Sequence, residues 1–369
     1  MASLETHPLR ISPNGTTYLR NAEFVTMSDL EKIQYRQNVA ATGVTLNGKL
    51  QFKLAENTDL TVGGNYSYGN GHGFVYEYAL FNPQNNPQSL TNSFRVSARL
   101  VQRFNTKTET DKEKSAALIT NAVFTLQAEY SKDKSVTQDD DHQANFFDYG
   151  YIGKFDAVKG KYNFWSDAGN GYYSNFVFDN KKQAFVQQGL QGDSLVNFTA
   201  SSKNTTGANF TTDYYNLRGS QVHNFQEIQT GLGLLNGDRP GNIYSLWYNT
   251  GRQYNGYSVA NNDQFRVYTN FSANIKKHSI QVGFEYQQQI ERGFSISPID
   301  LWTLMRQLAN SHLTQLDTVN GKRVNTGGPF DYILYNPKYD ANTQKQFDKS
   351  LRAKLGLGVN NTSFINTDE

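Results

Sequence analysis

Seven stretches of this 369-residue chain alternate apolar and polar side chains with a period of two, the spacing that gives each face of a β-strand its own character. In the first, Val44, Leu46, Leu50, Phe52 and Leu54 oppose Thr45, Asn47, Lys49, Gln51 and Lys53. In the second, Leu60, Val62, Tyr66 and Tyr68 oppose Thr61, Asn65 and Ser67. The third sets Phe94, Val96, Ala98 and Leu100 against Arg95, Ser97 and Arg99, and the fourth Phe124, Leu126, Ala128 and Tyr130 against Thr125, Gln127 and Glu129. The fifth and sixth carry Phe265, Val267 and Phe271, then Ile280, Val282, Phe284 and Tyr286. A seventh is predicted from Phe347 to Val359, with Leu351, Leu355 and Leu357 opposing Ser350, Arg352 and Lys354. The predicted class is all-β, with antiparallel up-and-down strands.

The links between these stretches alternate in length. Short ones run from Ala55 to Asp59, Asn105 to Leu118 and Lys276 to His278; long ones run from Gly69 to Asn92, Lys132 to Asn262 and Gln288 to Gln346. Short turns at one end and long loops at the other are expected of an outer-membrane β-barrel. Strands of this length also suit the roughly 9–11 tilted residues that cross a hydrocarbon core. Arg95, Arg99, Arg103, Arg352 and Lys354 fall on polar faces, none of the seven apolar faces carries a charge, and Tyr66, Tyr68, Phe104, Tyr130 and Tyr286 sit at strand ends. The pattern therefore predicts part of an outer-membrane barrel with long extracellular loops and one or two short helices. Leu46, Phe52, Val96, Leu126, Phe284 and Leu355 would share its lipid-facing surface. The alternative is an antiparallel sheet with one wet face, in which those side chains converge into a core between two sheets.

Composition narrows the function classes. Charged residues are 18% of the chain, against about 25% in a typical soluble domain. A net charge of +2 argues against binding driven by nucleic-acid phosphates. With no cysteine there is no disulfide framework, thiolate metal site or thiol nucleophile. No apolar run is long enough for a transmembrane helix. The opening Met1 to Pro8 has neither the basic nor the apolar region of a signal peptide. The chain is thus either cytosolic or an interior piece of a longer exported protein, and the strand pattern favours the second.

Four blocks are expected: a connector over 1–40 with a short helix begun at Ser28-Asp29-Leu30-Glu31, four barrel strands over 41–131, a loop subdomain over 132–262, and three further strands over 263–369. The loop subdomain is too long to be structureless. In the last block Ser297-Pro298 starts a helix whose Leu301, Leu304, Met305 and Leu308 share one face.

Chemical motifs are sparse. Asp139-Asp140-Asp141-His142 is a dense run of oxygen ligands, but it lacks the glycine and distal glutamate of a calcium loop and reads as a solvated loop. No pair among the six histidines has the spacing of a zinc helix, and no metal or cofactor is expected. Gly69-Asn70-Gly71-His72-Gly73 reads as turn chemistry. No nucleophile elbow or phosphate loop is present, so no catalytic residue is assigned and no enzyme is expected. Aromatic side chains beside amides and guanidinium groups suit a polar ligand such as a glycan or peptide, which makes Trp165, Tyr172, Tyr173, Trp247, Tyr248, Arg252 and Tyr254 candidate ligand contacts. The same residues would equally serve as the small core of the loop subdomain.

Several segments carry a family likeness: Ala22-Glu23-Phe24-Val25 with Asp29 to Ile33 and Arg36 to Ala40; Tyr76 to Asn82 with Asn86-Pro87-Gln88; Gln138-Asp139-Asp140 with Asn145 to Phe155; and Lys349 to Leu357. In these the chain resembles the TonB-dependent outer-membrane receptors of Bacteroidetes, in the Oar-like branch with a carboxypeptidase-regulatory-like domain. The resemblance implies a fragment, an N-terminal portion of a barrel of about 22 strands without its plug or C-terminal strands. It implies nutrient uptake across the outer membrane, powered through TonB. The implied partners are outer-membrane lipid, TonB, the plug, the barrel remainder and a surface lipoprotein, with no nucleic acid. Two other classes stand beside it. One is a secreted or surface-attached β-rich protein that binds a glycan or peptide without transport. The other is a glycan-cleaving enzyme, which needs two carboxylates facing each other across a cleft.

Overall fold

The computed structural model describes residues 2–104, 119–158, 164–165, 176–179, 184–187, 195–313, 319–320, 322–324, 332–334 and 339–369. The chain divides into two compact units. One comprises Ile33–Ala144 and Tyr254–Ser297, the other Met1–Lys32, Asn145–Gln253 and Pro298–Glu369.

The first unit is a six-stranded sheet. Its strands are β1 (Ala41–Ala55), β2 (Thr58–His72), β3 (Gln88–Phe104), β4 (Ile119–Gln138), β5 (Tyr257–Ile275) and β6 (His278–Ile296). They lie side by side in chain order and every neighbouring pair is antiparallel, so the sheet is an up-and-down meander. The strands have 15 to 20 residues, three times the usual globular length of about five or six. Two-residue turns at Glu56-Asn57 and Lys276-Lys277 join β1 to β2 and β5 to β6, with Lys276 at φ +53°. At the far end the β2–β3 link is shaped by two buried asparagines. Asn86 accepts from the Val75 N–H (3.1 Å) and donates to the carbonyls of Gln37 (3.2 Å) and Asn38 (3.1 Å), and Asn82 is fully buried beside Tyr78 and Phe81.

The seventh predicted strand is not one. Gln346–Lys354 is an α-helix in the other unit, and Leu355 lies at its end rather than on the sheet. Phe347, Leu351 and Leu355 recur every four residues as well as fitting an alternation, and Asp348 in the first turn with Arg352 and Lys354 in the last complements the helix dipole. Arg352, expected on a wet strand face, is fully buried and bonded to Asp348 one turn earlier (Nε–Oδ2 2.9 Å).

The second unit has its own core. Ile152 and Phe155 on the strand Gly153–Val158, and Val196 on its antiparallel partner Leu195–Ala200, pack with Ala208, Phe210 and Tyr214 of the helix Thr205–Arg218. Leu9, from the short strand Leu9–Ile11, enters the same core. Asn236 is buried at its edge. It accepts from the Ile152 N–H (2.9 Å) and donates to the Gly153 carbonyl (2.9 Å) and to Asp368 (3.1 Å). Arg306 grips the Asp368 carboxylate through two nitrogens, tying the helix Asp300–Leu308 to the C-terminal segment. That helix forms where Ser297-Pro298 predicts it, but it buries Trp302, whose Nε1 donates to the Tyr149 carbonyl (2.9 Å), and leaves Leu304 exposed. Near the N-terminus the predicted capping helix is a single 3-10 turn, Met27–Asp29, with the Asp29 carboxylate accepting from the Thr26 N–H (2.8 Å).

Candidate functional site

The registers decide which side chains share a face, because residues directly opposite in an antiparallel pair point the same way. One continuous row runs Leu50, Val62, Ala98, Ala128, Val267 and Tyr286 from β1 to β6. The next row towards the short turns is Phe52, Leu60, Leu100, Leu126, Thr269 and Phe284. These rows belong to an apolar face that does not close into a core: Leu46, Phe52, Val96 and Phe284 are 46–65% exposed.

The main apolar run of this face ends along a line. Counting from the short turns, the main apolar run on this face ends at Val44 in β1, then Tyr68, Phe94, Tyr130, Phe265 and Tyr286 in β2 to β6; apolar residues recur beyond it at Leu90 in β3, Val136 in β4, Tyr257 and Val259 in β5, and Ile290, Phe294 and Ile296 in β6. The next residue on the same face of each strand is polar: Thr42, Asn70, Asn92, Lys132, Asp263 and Gln288. Five aromatic rings thus mark the limit, with Phe94 and Tyr130 in contact at 5.7 Å between ring centres. The line is not perpendicular to the strands. From Tyr68 to Tyr286 it drops six residues, about 20 Å, while crossing four inter-strand spacings, about 19 Å. It therefore cuts the strands at about 45°, the tilt of strands in a membrane barrel. Below it each strand carries about seven to eleven residues of apolar face, close to the span that crosses a bilayer.

The opposite face is wet and cross-linked by charge. Arg95 pairs with Glu129 (3.2 Å), Arg266 with Glu285 (2.7 Å) and Arg103 with Asp59. Gln127, Glu129, Arg266 and Tyr268 surround a hollow of about 230 Å³ on this face.

In the other unit, Thr17, Tyr18, Tyr214, Arg218, Gln226 and Glu227 line a cleft of about 490 Å³. The Tyr18 and Tyr214 rings meet at 5.3 Å, and the Arg218 guanidinium pairs with Glu227 (2.7 Å) and donates to the Tyr214 hydroxyl. Burial pushes the Tyr214 hydroxyl above its ordinary pKa, against the opposing pull of Arg218. Gly231 lines the back of the cleft, where a Cβ would lie 2.0 Å from the Tyr214 ring. The sequence pattern does not join the two sides of this cleft, since Tyr18 and Tyr214 are far apart in the chain, although Tyr214-Tyr215-Asn216 is an aromatic-amide run of the kind that singled out the predicted contacts.

Of the predicted ligand contacts, Tyr172 and Tyr173 lie outside the described residues. Trp165 is placed by its backbone in the two-residue strand Phe164–Trp165, opposite Tyr332. Tyr248 and Arg252 are brought together: the guanidinium stacks 4.2 Å from the ring centre and donates to Asn242 Oδ1 (3.2 Å). Trp247 lies in the same segment, and Tyr254 belongs to the sheet unit. Burial raises the Tyr254 hydroxyl pKa. Among the described residues, Tyr248 and Arg252 are thus brought together.

The acidic run closes on itself. Asp139 is buried and accepts from the backbone N–H of Asp141 (3.2 Å) and His142 (3.1 Å), while Asp140 meets His72 at 3.0 Å. The three carboxylates lie within 4.8 Å of one another. Burial pushes the Asp139 carboxyl above the usual range, with His142 pulling it back. Its geometry is that of a turn capped by its own first side chain. No protein-family model matches the chain, and no match was found among curated proteins.

Proposed function

We propose that this chain forms part of the wall of an outer-membrane β-barrel of the TonB-dependent receptor class, taking part in nutrient uptake, with the links at the polar end of the sheet facing the cell exterior. The observation that carries the reading is the oblique boundary of the exposed apolar face. A water-facing sheet has no reason to keep a greasy face open over six strands, or to end it along a line inclined to every strand. A strand wall tilted in a bilayer has both reasons, since the hydrocarbon limit is horizontal while the strands are not. The aromatic rings along that line, and the polar residue that follows it on each of the six strands, suit the interface with headgroups. Strands longer than the bilayer carry the wall past the membrane towards the long links. No helix among the described residues is long and apolar enough to cross a membrane, so in this reading the crossing is made by strands.

Fractionation of cells expressing the chain tests this. Recovery in the outer-membrane fraction, extraction only by detergent, and a heat-dependent shift in gel mobility are expected. A freely soluble chain would sink the reading. The cleft beside Tyr18 and Tyr214 favours a second reading, a surface-attached binding protein without transport, which solubility together with glycan or peptide capture would support.

A further inference from the structure

We infer that Lys132, Lys134 and Arg292 form a docking surface for the phosphate of an anionic lipid headgroup; this rests on the barrel reading above and adds a specific lipid contact to it. The registers put all three on the apolar face of the sheet. Lys132 lies opposite Phe94 and Asp263, and Lys134 opposite Asn92 and Asn261, with Arg292 opposite Asn261 on the far side. The nearest acids on the same strands, Asp133 and Glu291, belong to the other face.

Their height is fixed by the aromatic line. Lys132 and Asp263 are the first residues beyond Tyr130 and Phe265 on that face, and Lys134 is the second. One such step is about 7 Å along a strand, or about 5 Å of height at a 45° tilt, so these groups fall about 5–10 Å above the rings. The headgroup layer on each side of the hydrocarbon is about 5–7 Å thick. Arg292 starts higher but reaches down, with Nη1 3.0 Å from Asp263 Oδ2. Asp263 also holds Lys132 (3.5 Å) and accepts from the Tyr130 hydroxyl (3.2 Å), so one carboxylate gathers two cations and is outnumbered by them. Lys134 is exposed and has no ion-pair partner among the described residues. Three cations around one anion, at the level of lipid phosphates and on the side that meets lipid, complement a phosphomonoester or phosphodiester headgroup.

The purified full chain is incubated with vesicles of phosphatidylcholine alone, and of phosphatidylcholine with one-third phosphatidylglycerol, then floated on a density gradient. Wild type is expected in both vesicles, more tightly in the anionic ones, with the gain shrinking at high salt. Lys134→Gln with Arg292→Gln is expected to lose about fivefold of that gain for each cation removed and to keep its partition into the neutral vesicles. Arg95→Gln with Arg99→Gln, which removes the same charge from the opposite face, is expected to keep the gain. Equal binding of wild type to both vesicles, an undiminished gain in the first variant, or an equal loss in the second would overturn the inference while leaving the barrel reading intact. Abolition of the gain by millimolar inorganic phosphate would assign the cations to free phosphate and overturn the lipid source. Failure of wild type to enter even neutral vesicles would overturn both.

Discussion

Two side chains show how far a single residue governs the local fold. Asp348 and Arg352 are both fully buried, one helical turn apart, and their charges are satisfied by each other and by amides. Gln344 donates to Asp348 (2.8 Å), the Asn310 N–H reaches the same carboxylate (3.1 Å), and Arg352 donates to the Ser363 carbonyl (3.0 Å). His312 stands 3.2 Å from Asp348. Burial alone would push the Asp348 carboxyl up, but the hydrogen bonds from Gln344, Asn310 and Arg352 hold it below its ordinary value. Asp348→Asn is expected to cost about 3–5 kcal/mol, because Arg352 is left as an unpaired buried charge. Urea unfolding of wild type and variant measures it. The sign with pH follows from the depressed pKa: this contribution is present in full above the unfolded carboxylate value near 4 and disappears as pH falls through the lower folded value. The variant should therefore show a flatter stability curve below pH 4. At the β5–β6 turn, Lys276 holds a left-handed conformation that favours glycine or asparagine. Lys276→Asn should stabilise by up to about 1 kcal/mol, read as a raised unfolding midpoint.

At the scale of elements, the six strands of the sheet were legible because each pairs with its neighbour in the chain and has two unlike faces, so local alternation and global packing agree. Their ends were not legible. Lys132 to Gln138 and Tyr257 to Gln264 continue β4 and β5 through mixed residues, where pairing with neighbours rather than pattern extends the strand. The Phe347–Val359 segment failed for the opposite reason, since its residues satisfy two periods at once and a buried Asp–Arg pair made the helix win. The cleft at Tyr18 and Tyr214 was invisible because it is assembled from distant segments, whereas Tyr248 and Arg252, four residues apart, were visible as one cluster. The two faces can be tested one residue apart. Leu50 lies in the middle of the apolar stretch of β1 and Gln51 on its polar face. Leu50→Arg should lose about 2–4 kcal/mol of folding free energy in phospholipid vesicles, whereas Gln51→Arg should change it by less than about 0.5 kcal/mol. In a sheet whose two faces both meet water the substitutions would be equally tolerated, so the contrast between the pair, more than either value, reports the solvent.

For the whole molecule the decisive feature is the pair of sheet edges. The strand order ends at β1 and β6, and among the described residues neither outer edge has a partner strand. These edges carry strands of 15 and 19 residues, alternate amides and carbonyls of which point outward. In water such edges invite aggregation, and in hydrocarbon each unpaired group costs several kcal/mol, so a lipid-embedded wall needs a partner along each edge, further strands in the cell or a second copy of the chain in vesicles. Amide hydrogen exchange separates the cases. In detergent, the amides of β2 to β5 should be protected strongly and the outward half of those in β1 and β6 weakly, because the inner strands are bonded on both sides and the outer ones on one. In membranes isolated from the cell, the edge amides should become as slow as the interior ones, since additional strands then close the wall. Edges that stay fast in the membrane would mean that nothing completes the sheet there. The oblique apolar boundary would then need an explanation other than a barrel.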